Sequence, residues 1–88
     1  MSAMRTTVLV VDDDADFRGL AAFVVASQGL IAVEAADCEE CLEVLRKGPE
    51  RIFAVLLDYY MPGMKPGPCV AGIRELLPAT VPVAGAPE

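Results

Sequence analysis

The chain has 88 residues, a formal net charge of −6 and a hydrophobic fraction of 55%. At this length one domain is the ceiling, and so apolar a composition excludes intrinsic disorder. The acidic balance excludes electrostatic capture of nucleic acid or of an anionic membrane surface, both of which need basic patches.

Val8-Leu9-Val10-Val11 is a continuous, mostly β-branched run, the pattern of a strand covered on both faces in a parallel sheet. Asp12-Asp13-Asp14 ends it. Phe17, Leu20, Ala21, Val24 and Val25 then recur at helical spacing and predict a helix with that stripe in the core. Asp14 or Asp16 can cap its start, and Gly29 stands just past its end. Leu30 to Val33 predicts a second strand. Asp37 and Glu40 are spaced as a capping box, and Cys38, Cys41, Leu42 and Leu45 form the stripe of a second helix that Gly48-Pro49 stops. Ile52 to Leu57 predicts a third strand, and again an aspartate, Asp58, follows it. Met61 to Pro68 reads as a loop, with Pro68 at the first position of a third helix marked by Val70, Ile73 and Leu77 and closed by Pro78. Residues 78–88 read as a Pro/Ala-rich tail or the start of a fourth strand near Val81 to Ala84.

Strands alternating with helices imply a parallel sheet with helices on both faces and right-handed crossovers. The expected architecture is a flavodoxin-like, doubly wound α/β/α unit. In the strand order 2-1-3-4-5, strands 1 and 3 are neighbours and ligands sit at their carboxyl ends. Those ends are Asp12-Asp13 and Asp58. Neighbouring strands lie about 4.8 Å apart, so the carboxylates share one small pocket. Two unit charges about 4 Å apart repel by roughly 4 kcal/mol at an effective dielectric of 20, and a divalent cation removes that cost. Mg²⁺ takes hard oxygen ligands and commonly one or two carboxylates. A carboxylate held beside it can attack phosphorus and form an acyl phosphate.

The cysteines number three, and no histidine is present. An odd count without a legible secretory signal reads as reduced thiols, and with no membrane span in view the expected compartment is the cytoplasm. Cys38-Glu39-Glu40-Cys41 is a lone C-x-x-C, weak as a zinc motif and better read as core thiols. Cys69 reads as a packing residue. Of Tyr59 and Tyr60, one is expected to pack inward and the other to border the pocket, and Lys65 to be solvated.

Val8-Leu9-Val10-Val11-Asp12-Asp13 resembles the first strand and acidic pair of response-regulator receiver domains. Leu56-Leu57-Asp58-Tyr59-Tyr60-Met61-Pro62-Gly63-Met64 resembles their phosphoacceptor strand and D-x-x-M-P-G-M loop. The resemblance implies that Asp58 accepts the phosphoryl group. It implies Mg²⁺ held by Asp13 directly, by Asp12 through water, and also by Asp58 and the backbone carbonyl of Tyr60. It also implies a sensor histidine kinase or phosphotransfer protein as donor, and a phosphoacceptor rather than a turnover enzyme. Lys65-Pro66-Gly67 carries an apparent one-residue insertion. Counting from Pro82-Val83 puts Pro87 where the family has Ser or Thr, and the family's lysine at the end of strand 5 has no counterpart. The whole chain, 1–88, therefore reads as one incomplete receiver. Two other readings stand beside it. One is a degenerate receiver serving as a protein-interaction module; the other, from Asp12-x-Asp14 after a strand, is a haloacid-dehalogenase-like phosphatase. A truncated sheet also leaves Val55-Leu56-Leu57 at or next to an edge, so self-association through that edge is expected.

Overall fold

The computed structural model describes residues 5–58 and 65–85. Strand β1 (Thr7–Val11) leads to helix α1 (Ala15–Ser27), β2 (Ile31–Ala35), α2 (Cys38–Lys47), a 3₁₀ turn (Pro49–Arg51), β3 (Ile52–Leu57), α3 (Pro66–Leu76) and β4 (Val83–Gly85). The four strands form one parallel sheet in the order β2-β1-β3-β4. The doubly wound, flavodoxin-like architecture expected from the alternation is thus the one observed.

Local chemistry explains the element ends. The Asp14 carboxylate caps α1 by accepting from the N–H groups of Asp16 and Phe17 at 3.0 and 3.2 Å. Gly29, with φ at +82°, turns the chain out of α1 in the left-handed region where a side chain is strained. Asp37 accepts from the Glu40 N–H at 2.8 Å while Glu40 reaches back to the Ala36 N–H, a capping box displaced by one residue. Helix α3 starts two residues before its expected Pro68. Pro66 occupies the first position, and the missing N–H groups of both prolines fall in a first turn that has no intrahelical use for them.

The core lies on one side of the sheet. Leu9, Val11, Val55 and Leu57 pack with Cys41 and Leu45 of α2 and Cys69 and Ile73 of α3. Gly72 permits that helix approach, since a Cβ there would stand 3.3 Å from both terminal carbons of Leu42. Arg74 donates to the Val81 carbonyl at 2.7 Å and ties α3 to the turn before β4.

Two expectations are corrected. The α1 stripe is only partly core: Phe17, Leu20 and Val24 are exposed, Ala21 and Val25 are half-buried, and Ala22 is the buried residue of this helix. Most of the surface of α1 is apolar, so periodicity did not separate the residues that meet the sheet from those that face away from it. The cysteines are not all reduced thiols: Cys38 and Cys69, with Cα atoms 6.0 Å apart, form a disulfide across the α2–α3 contact, leaving Cys41 as the free buried thiol. A separation of 31 residues hid that pairing, and it removes the thiol argument for a reducing compartment. Burial pushes the Cys41 thiol up to about 12, so it stays protonated and unreactive. Closing a loop of this length contributes about 2–4 kcal/mol, so dithiothreitol should lower the urea midpoint accordingly. Thiol titration of the denatured, unreduced chain should find one thiol; three would show the pair open in solution.

Candidate functional site

The pocket is built by strand register. Val11 of β1 lies level with Ala35 of β2 and with Leu57 of β3. The Asp12 N–H closes the first ladder on the Ala35 carbonyl at 3.1 Å, and the Asp58 N–H closes the second on Val11 at 2.9 Å. Both aspartates therefore leave the sheet at the same height on adjacent strands. One oxygen from each of Asp12, Asp13 and Asp58 lies within 4.8 Å of the others. With Asp14 and Phe17 these residues line a cleft of about 330 Å³ at the carboxyl edge of the sheet. Asp12 and Asp58 are half-buried and Asp13 is exposed.

The electrostatics are those of crowded anions. Burial raises the Asp12 carboxyl above its ordinary 3.8, the charges of Asp58 and Asp13 and a side-chain hydrogen bond with Asp58 add to that, and the hydrogen bond from the Asp14 N–H opposes it. That last bond, 2.9 Å to Oδ1, fixes the carboxylate's direction. Arg18 is oriented elsewhere, with Nη1 on the Asp12 backbone carbonyl at 2.7 Å and Nε on Glu34 at 3.0 Å. The donor set consists of hard, anionic oxygens, which fits Mg²⁺.

A raised Asp12 pKa makes the metal-free fold hold its proton more tightly than the unfolded chain does. The resulting stabilisation is complete below 3.8 and is lost as pH rises through the raised value. Asp12→Asn should therefore melt higher than the wild-type chain at pH 7 in EDTA, with the difference vanishing toward pH 3. A lower midpoint at pH 7 would contradict the repulsion.

The structure brings together Asp12, Asp13 and Asp58, the carboxylates expected from the sequence. Tyr60, whose carbonyl the resemblance adds to the metal ligands, lies outside the described residues with Tyr59, the loop motif and Pro87. The β3–β4 register sets Gly85 opposite Leu57. No Ser or Thr follows Thr80 in the sequence. The apolar cleft beside the acidic one, walled by Phe17 and Ala21 against Leu56 and Ala84, was missed because Phe17 and Ala21 read as core.

The fold defines the class: this chain has the architecture of response-regulator receiver domains. The response regulator receiver protein from Pseudomonas putida superposes with a TM-score of 0.78 at 28% identity, covering 96% of this chain and 69% of that one. The receiver domain of the hybrid histidine kinase CckA superposes with a TM-score of 0.77 at 25% identity, covering 93% and 86%. In sequence the chain is 34% identical over 69 residues to an uncharacterised 14.6 kDa protein in the sodA1 3′ region of Leptolyngbya boryana, a match over 78% of this chain and 51% of that protein. It thus spans about half the length of that relative. No family model matches the chain. Among the described residues, no helix is long and apolar enough to cross a membrane.

Proposed function

We propose that the chain is a phosphoacceptor module of a two-component phosphorelay, with Asp58 taking a phosphoryl group from the phosphohistidine of a kinase or phosphotransfer protein. The observation that carries this reading is the convergence of Asp12, Asp13 and Asp58 at the carboxyl ends of β1 and β3. An Asp58 carboxylate oxygen attacks phosphorus, the bond to the donor breaks, and the donor leaves with the electron pair. Asp12 and Asp13, with Asp58, would hold Mg²⁺, which when bound neutralises charge on the phosphoryl oxygens. The acidic pair thereby serves the cation and leaves nucleophilic work to Asp58. The chain's own role is positional: the ladder bond from Asp58 to Val11 aims the acceptor at the cleft.

Mg²⁺ at ten times its dissociation constant should add about 1.4 kcal/mol to the unfolding free energy. For a domain of this size that raises the melting midpoint by about 6 °C or more. Asp13→Asn should remove most of the increase while leaving the metal-free midpoint near that of the wild-type chain. A melting curve indifferent to saturating Mg²⁺ would defeat the metal assignment.

A further inference from the structure

Helix α1 carries a cation, Arg18, at the end of its first turn, beside a cleft of acids. The Arg18 N–H closes the first intrahelical bond on the Asp14 carbonyl at 2.9 Å, so its Cα stands one turn past the N-cap. Side chains on a helix lean toward its N-terminus, and here that lean brings the guanidinium to the end of β1. Nη1 donates to the Asp12 carbonyl at 2.7 Å and Nε to Glu34 Oε1 at 3.0 Å. Strand alternation places Glu34 for this. It lies level with Val10, and since its neighbour Ala35 is buried in the core, Glu34 points to the opposite face, where α1 packs. An ion pair on an open surface contributes little. This one differs in two respects: the Arg18 side chain is 18% exposed, and its second bond falls on a backbone atom of the acidic pair.

We propose that Arg18 is a positioning residue for the acidic pair, which rests on the reading of Asp12, Asp13 and Asp58 as the Mg²⁺ site. The carbonyl it grips belongs to the peptide that joins Asp12 to Asp13. That unit is planar, so fixing its oxygen fixes the direction in which Asp13 leaves β1. The Asp12 N–H is already tied to the Ala35 carbonyl, and Asp12 Oδ1 to the Asp14 N–H. With the guanidinium on its carbonyl, the backbone of Asp12 is held at both of its polar groups. Glu34 keeps the guanidinium there, and without it the cation is free to turn toward the carboxylates that Mg²⁺ would use. Charge and geometry predict opposite signs for the loss of Arg18. A cation near the cleft repels Mg²⁺, so by charge alone its removal tightens binding. A metal ligand that loses the group orienting it binds more weakly, typically by about 10-fold to 100-fold.

Isothermal titration of Mg²⁺ into the wild-type chain and into Arg18→Met tests this, since methionine keeps an apolar stem and removes the charge and both donors. The dissociation constant should rise by about 10-fold or more in Arg18→Met. Arg18→Lys, which retains the charge but offers a compact ammonium in place of the planar fork, should also bind more weakly than the wild-type chain. An unchanged or lower dissociation constant in Arg18→Met overturns the proposal, and so does wild-type affinity in Arg18→Lys. Far-UV circular dichroism confirms that each variant is folded; if Arg18→Met is not, Arg18→Lys decides. A second readout needs no metal. In EDTA, the proton–nitrogen heteronuclear NOE at Asp13 and Asp14 should fall in the variants while those at Leu9 and Val10 keep their wild-type values. Were the wild-type chain to bind no Mg²⁺, the metal reading would fail and the NOE alone would judge Arg18. A drop confined to Asp13 and Asp14 upholds the positioning role; unchanged values there, or a drop spread along the whole of β1, overturn it.

Discussion

Incubated with acetyl phosphate and Mg²⁺, the chain should gain a single phosphoryl group on Asp58, and Asp58→Asn should gain none. The three clustered carboxylates are not equivalent as nucleophiles. Asp12 Oδ1 is engaged by the Asp14 N–H, and Asp13 is exposed at the rim of the cleft. Asp14 is committed to the end of α1. Asp58 follows β3 directly and shares the cleft with the acidic pair that would hold the metal. Intact-mass measurement followed by peptide mapping gives both site and rate. A phosphoryl group on Asp12 or Asp14, or incorporation indifferent to Mg²⁺, would sink the assignment.

Leu45→Ala should cost about 3–5 kcal/mol of unfolding free energy, while Leu20→Ala should cost close to nothing. Both leucines sit on apolar helical stripes, and from spacing alone they are interchangeable. Leu45 is fully buried in the α2/α3 side of the core, so deleting its side chain opens a cavity walled by residues that cannot collapse into it. Leu20 is 60% exposed, so truncation removes carbons that are mostly in water already. A chain of this length has on the order of 4–13 kcal/mol of stability in total, so the first substitution takes a large share of it. Urea unfolding of the two variants beside the wild-type chain makes the comparison. Similar losses at the two positions would show that both faces of the sheet are sealed.

Much of this was legible in the residues. The runs Val8 to Val11 and Ile52 to Leu57 are too apolar for a half-wet strand, and the aspartates that follow them mark the carboxyl ends where a parallel sheet gathers its ligands. What periodicity lacks is a direction. It finds the repeat of α1 without stating which side meets the sheet, and a helix apolar over most of its surface offers no broad polar face to decide. The Cys38–Cys69 bond was hidden for a related reason, since it depends on how α2 and α3 cross. The start of α3 was misplaced because two nearby prolines each fit a first turn.

The ladder bonds that set Asp12 and Asp58 level with one another also govern how fast these two positions meet the solvent. Each amide hydrogen is held by a strand-end carbonyl, Ala35 or Val11, that is itself buried. Deuterium can replace either hydrogen only during openings that part β1 from β2 or β1 from β3. Both partings loosen the same central strand, so the two amides should exchange in step, far more slowly than the amides of Phe23 or Ala26 would if α1 frays. Any ion that binds across the three carboxylates bridges β1 to β3 and must be shed before they part. Its residence would then be recorded in the exchange lifetime of the Asp58 amide, which makes that single proton a clock for the occupancy of the site.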